Sequence, residues 1–162
     1  REWQVLGPFP GRRGHEAPYA PEGRPVNLQA QYSTPEGAAI GWNLMRSDRN
    51  YVDFGRSART QLPATGYAAC WLTAAKAQPV VLEISADSAC KVWLNSRPVH
   101  EHINFEDAKP GDHQVRLFLS AGPNELLIKV TQRGRDWGFF AELVDAEGRG
   151  VPVGVKVTVT QP

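Results

Sequence analysis

Cysteine is scarce. Cys70 and Cys90 are the two in 162 residues, too few for the disulfide frameworks of many small extracellular domains, so stability has to come from a hydrophobic core. A chain of this length buries about 70% of its unfolded surface, enough for one core without metal or disulfide support. Charge of one sign is also missing. The 18 Lys and Arg residues face 17 Asp and Glu, a formal net charge of +1. With no basic block or arginine-rich helix to follow a phosphate backbone, nucleic acid is not an expected partner. No apolar run approaches the length of a membrane span, and the first residues, REWQVLGPFP, lack the apolar segment of a signal peptide. Membrane insertion is therefore not expected, and the chain reads as a mature soluble protein or an excised domain. Sustained i, i+3, i+4 apolar spacing is absent, as are internal repeats, a G-x-S-x-G elbow, a phosphate loop and a dinucleotide fingerprint.

What is present is a two-residue period, the period of strands. From Val80 to Gly148, VVLEIS, KVWLNSRPV, QVRLFL, ELLIKVT and WGFFAELVD alternate apolar residues between turn clusters such as Ala121-Gly122-Pro123-Asn124. Upstream, Trp3 to Leu6, Asn27 to Tyr32, AAIGWNLM, Asn50 to Phe54 and YAACWLTA are further strand candidates. Downstream, VPVGVKVTVT predicts a strand, with Pro152 favouring an edge or a strand start. Residues 7–26 are dense in Gly and Pro and predict a loop wrapped over the sandwich, since each proline removes a backbone donor. The expected fold is all-β, one two-sheet antiparallel β-sandwich spanning residues 1–162. Leu117, Ile128 and Val157 are assigned to its core, so Ile128→Ala is expected to cost much more than Thr131→Ala.

Four segments resemble a family: WQVLGPFP, YVDF, KVWLNSRPVHEH and AGPNELLIKVTQRGRDWGFFAELVDAEG. They are similar to galactose-binding-like jelly-roll modules attached to bacterial secreted, polysaccharide-degrading multidomain proteins. The G-x-N-x-L-x-x-K-V ending also resembles the sugar-binding domain beside the catalytic barrel of β-galactosidase-type glycoside hydrolases. The resemblance implies a jelly roll acting as a non-catalytic accessory module, in a secreted or cell-envelope bacterial protein. Its partner would be a glycan or an adjacent catalytic domain. Where relatives carry an acidic pair followed by Gly, this chain has Ala86-Asp87-Ser88-Ala89-Cys90, and it has Ser96 in place of a Gly. No calcium or sugar site is carried over to that loop.

Catalytic and metal chemistry find little support in the residues alone. His100 and His102 point the same way from a strand, but two ligands do not make a zinc site, and neither His15 nor His113 is placed nearby by spacing. No metal or cofactor is expected. Glu101, Glu106 and Asp107 are a conceivable carboxylate pair for glycoside hydrolysis, but charged loop residues are the plainer reading. Cys70 and Cys90 fall on inward faces, as buried free thiols or as a bridge if their Cα atoms lie within ~7 Å.

The tryptophans carry the binding alternative, because sugar rings stack on aromatic planes while their hydroxyls need polar partners. Trp42 and Trp71 are assigned to packing. Trp137, with Arg133, Arg135 and Asp136 beside it and Asn95 assisting, is the first candidate site, and Trp93 is the second aromatic. The competing assignments are Trp137 as a core plug, and the whole module as a structural domain packed on a catalytic neighbour.

Overall fold

The computed structural model describes the chain apart from residues 12, 20, 48–49, 57–62, 104–105 and 133–135. The alternating segments form strands in two packed antiparallel sheets. In chain order these are β1 (Glu2–Pro10), β2 (Tyr32–Ser33), β3 (Ala39–Ile40), β4 (Asn43–Arg46), β5 (Tyr51–Asp53), β6 (Ala64–Ala74), β7 (Gln78–Ala86), β8 (Ala89–Leu94), β9 (Arg97–Ile103), β10 (His113–Leu119), β11 (Gly122–Gln132), β12 (Gly138–Asp145) and β13 (Val155–Thr158). The larger sheet runs β4-β1-β6-β11-β8-β9, with β13 also on β6; the smaller runs β10-β7-β12-β5; β2 and β3 pair as a separate ribbon. The helical content of the described residues is one 3₁₀ turn, Phe54–Arg56.

Side-chain alternation on the larger sheet feeds two cores. Cys70, Leu72, Val92, Leu126, Ile128 and Val130 face the smaller sheet and meet Leu82, Ile84, Leu117 and Phe139. Their neighbours Tyr67, Ala69, Trp71, Trp93 and Leu127 point the other way, where Tyr19 and Val26 of the Gly/Pro-rich segment and Leu28 just after it cover them. The central strands β6 and β11 of the larger sheet are therefore buried on both faces. That second cover explains why Lys129 and Thr131, on the outward face by period, are fully buried.

Several boundaries shift. β1 continues through Pro10 past a register shift between Leu6 and Phe9, so the irregular segment begins at Gly11 rather than at residue 7. The strand expected over Asn27 to Tyr32 shrinks to Tyr32–Ser33, and AAIGWNLM splits at Gly41-Trp42 into β3 and β4. The C-terminal strand is only Val155–Thr158, on the edge lane beside β6; Val153 is 90% exposed and Val157 52% exposed. Val157 is thus not a core residue: it lies at an apolar groove between β13 and the smaller sheet's Leu82 and Leu143, where the sheets leave a gap instead of packing closed.

Ile128 and Leu117 do occupy the inter-sheet core. Ile128→Ala is expected to cost about 2–5 kcal/mol in chemical denaturation through lost burial and a residual cavity. The expectation for Thr131 changes: its Oγ1 lies 3.0 Å from Thr65 Oγ1, both buried. Truncation leaves a buried hydroxyl unpaired and should cost about 1–3 kcal/mol.

The cysteines are free and buried. β11 lies between their strands, with Cys70 opposite Leu126 and Cys90 opposite Val130. Two strand spacings plus four residues of offset separate them by roughly 16 Å, far beyond bridging distance. Burial pushes the Cys70 thiol up to about 12 and raises Cys90 as well, so neither is a reactive thiolate.

Candidate functional site

Of the candidate cluster around Trp137, the described members Trp137 and Asn95 do not come together as the sequence suggests. Trp137 is 3% exposed, stacks on Phe54 at 5.0 Å between centroids, and donates from Nε1 to the Val130 carbonyl at 3.2 Å. Its plane is used by the core. The physical reason lies in Gly66, where a Cβ would come within 2.9 Å of the indole. The missing side chain makes room for the ring inside the sandwich. Asp136 is exposed, while Arg133 and Arg135 lie outside the described residues.

Asn95 sits at the opposite end of the molecule. It follows β8, and its Oδ1 accepts from the Glu125 amide at 2.8 Å near the start of β11, whereas Trp137 follows that strand's far end. Asn95 and Ser96 form a two-residue hairpin loop with φ of 50° and 65°, the left-handed pair that a tight hairpin requires. Asn tolerates this conformation and Ser does so poorly. Ser96→Gly is accordingly expected to stabilise the domain by about 0.5–1 kcal/mol; an unchanged or lowered denaturation midpoint would count against this assignment.

The motif residue Asn124 is also structural. Its Nδ2 donates to the carbonyls of Leu72, Ser120 and Gly122, and its Oδ1 accepts from the Ser120 amide and from Asn95 Nδ2. One buried amide therefore closes the β10–β11 turn and ties it to β6 and to the β8–β9 loop.

The structure instead brings together side chains on β8 and β9. Lys91, Trp93, Pro98, Val99, His100 and Glu101 line an open groove of about 340 Å³. Trp93 is 6% exposed, so the loop cover and the neighbouring strand leave little of its ring for a ligand. Glu101 Oε1 is 2.7 Å from His15 Nε2 and 3.4 Å from Lys91 Nζ. These contacts, the His15 hydrogen bond above all, hold the Glu101 carboxylate below its ordinary range. His15 is itself buried in the Gly/Pro-rich segment, which lowers its pKa.

Beside the groove, three imidazoles converge. His100 and His102 extend from β9, and His113 opens β10 on the other sheet. His100 Nε2 and His102 Nδ1 are 3.0 Å apart, and the His102 and His113 rings stack at 4.2 Å. Burial first, then the charges of His113 and His100, lowers His102 to about 4; burial and His113 lower His100. Sequence spacing pairs only the first two histidines. The signal for the third is topological: the segment leaving β9 returns as β10 at the facing sheet edge, so residues at its two ends meet.

A second apolar groove of about 320 Å³ opens beside β13, lined by Trp3, Cys70, Leu72, Leu82, Val155 and Val159 among others. Val151 and Val157 lie at its rim.

No family model matches the chain, and no curated protein does. Among solved structures it is similar to the β-glucosidase from Kluyveromyces marxianus in complex with glucose, with a TM-score of 0.56 at 9% identity. The match covers 88% of this chain and 16% of that one. The selenomethionine-labelled β-glucosidase from the same organism matches with a TM-score of 0.56 at 8% identity over the same shares. This chain therefore spans only a small part of the length of those enzymes, and likeness at such identity concerns the fold alone.

Proposed function

We propose that the chain is a non-catalytic accessory module that binds carbohydrate at the groove on β8 and β9. The observation that carries this reading is the combination of surfaces there. Pro98 and Val99 supply an apolar surface beside the small part of Trp93 that is exposed, and Lys91 and Glu101, paired across the ladder, supply a donor and an acceptor for hydroxyls. The volume of about 340 Å³ lies in the range of small-ligand sites. Of the carboxylates weighed for hydrolysis, Glu106 pairs with Lys109 at 2.9 Å and Glu101 with His15 at 2.7 Å, which favours binding over two-carboxylate hydrolysis. Membership of the galactose-binding-like jelly-roll class, attachment to a larger bacterial protein, and a secreted or cell-envelope location belong to the same proposal and rest on the sequence resemblance.

A glycan array on the purified domain tests it, followed by titration of the best ligand against Lys91→Ala. Affinity should fall about tenfold, as expected for one lost charged hydrogen bond, with the melting temperature unchanged. A blank array would sink the reading.

The exposed Val151, Val153 and Val157 beside the apolar groove favour a second reading, in which the module packs on a neighbouring catalytic domain. Under it, Val157→Asp in the full-length parent protein should make the junction between domains sensitive to proteolysis. An unchanged digestion pattern would count against it.

A further inference from the structure

β9 and β10 are the edge strands of the two sheets, and they contact one another along one side of the sandwich. His100 and His102 lie two residues apart on β9 and pair across the ladder with Val92 and Cys90, both core residues. They therefore face inward. His113 stands opposite Ile84, another core residue, on the facing sheet. The three rings meet in the gap between the edges, with centroids 5.2, 5.3 and 4.2 Å apart. One nitrogen from each lies within 4.8 Å of the others.

A hydrogen bond between two neutral imidazoles accounts for His100 Nε2 and His102 Nδ1 at 3.0 Å. It leaves His102 Nε2 shielded from solvent with no hydrogen bond of good geometry, the Ala86 backbone being the one polar group against that ring, among the described residues, besides the other imidazoles, a poorly satisfied state for a buried polar atom. It does not explain a third imidazole stacked against the pair. A metal ion accounts for all three rings. Nitrogens about 2.0–2.1 Å from a tetrahedral Zn²⁺ stand about 3.3 Å from one another; His100 Nε2 and His102 Nδ1 are already 3.0 Å apart, and the three donors lie within 4.8 Å, so the His113 ring has to close on the pair. Because the His102 and His113 planes are only 19° apart, closing on an ion requires one ring to turn about its side-chain torsions. His113 is the ring with room to turn, its side chain being partly exposed. Asp112, with Oδ2 3.9 Å from His113 Nε2, adds negative charge beside the cluster.

We propose that His100, His102 and His113 form a three-histidine site for a divalent late first-row metal ion, joining the open edges of the two sheets. Imidazole donors suit Zn²⁺, Cu²⁺ and Ni²⁺ and disfavour Ca²⁺ and Mg²⁺, which take oxygen ligands. Three protein ligands leave a fourth position for water or an incoming group. An ion held this way binds the folded chain in preference to the unfolded one, so it stabilises the sandwich by mass action.

The test is titration of metal-free protein with ZnCl₂ by calorimetry and with CoCl₂ by visible absorption, alongside thermal melts with and without Zn²⁺. Wild type should bind one Zn²⁺ with a dissociation constant of about 10 μM or tighter, give the visible bands of low-coordinate Co²⁺, and melt several degrees higher when loaded. His113→Ala removes the ligand on the second sheet. It should weaken Zn²⁺ binding at least about tenfold and abolish the melting shift, while His15→Gln, outside the cluster, leaves both unchanged. MgCl₂ at the same concentration should do nothing. Wild-type Zn²⁺ binding no tighter than about 1 mM, or His113→Ala binding as tightly as wild type, would overturn the proposal.

Discussion

Glu22→Ala is expected to be among the most damaging single substitutions in this chain, lowering stability by about 3–5 kcal/mol. Its carboxylate is 2.6 Å from the ammonium of Lys129, a side chain that is fully buried, and it also accepts a 2.5 Å hydrogen bond from the Tyr67 hydroxyl. Lys129 Nζ donates in addition to the carbonyls of His15 and Ala17, and it lies 5.6 and 5.7 Å from the ring centroids of Tyr19 and Tyr67. Burial already lowers the pKa of this lysine, with Glu22 pulling the other way. Without the carboxylate, the buried ammonium keeps its desolvation penalty and loses its counter-charge. The expected loss is a large share of the ~5–15 kcal/mol that domains possess.

The pH dependence gives a second readout. Removing Glu22 drops the folded pKa of Lys129 further below its ordinary 10.5. Between the variant's folded pKa and the already lowered wild-type one, folded wild type keeps the Lys129 proton and the folded variant does not, so the deficit of the variant should shrink as pH rises through that window and level off above it. Denaturation of Glu22→Ala at neutral and alkaline pH measures it. A deficit that does not change would mean that lost packing, not the stranded charge, is responsible. The double variant Glu22→Leu/Lys129→Met should recover most of the loss, since an apolar pair avoids both desolvation penalties.

Trp137→Ala should cost about 3–5 kcal/mol, the range for truncating a large buried aromatic. The ring fills space opened by Gly66, stacks on Phe54, and satisfies the Val130 carbonyl. Its removal leaves both a void and an unpaired acceptor. Any glycan affinity retained by the fraction still folded should equal that of wild type, because the ring does not reach the groove lined by Trp93. A loss below about 1 kcal/mol in denaturation would place the indole outside the core.

The alternation of VVLEIS, QVRLFL and ELLIKVT carries the two-sheet architecture in plain view, because a half-buried strand writes its buried face into every second residue. The same signal placed Cys70, Ile128 and Leu117 inward, as found. It failed at Val157, where alternation continues although the packing opens into a groove and leaves the side chain 52% exposed. It also failed at Lys129 and Thr131, whose polarity suggests solvent although the Gly/Pro-rich segment covers them.

The candidate site was far less legible. Trp137 beside charged residues looks like a binding aromatic in one dimension, but whether a ring at a strand start points out or in depends on a cavity made by a glycine on another strand. Asn95 is near Trp93 in sequence, yet its hairpin fixes it to the start of β11, away from Trp137. His113 meets His100 and His102 only because the two sheet edges close on one side. The amino-acid order by itself determined the strands, their inward faces and the absence of a disulfide framework, since these follow from local period and composition. Which aromatic is buried, which charge is stranded and which histidines share a space were decided by tertiary structure, because each depends on what a distant segment places against the residue.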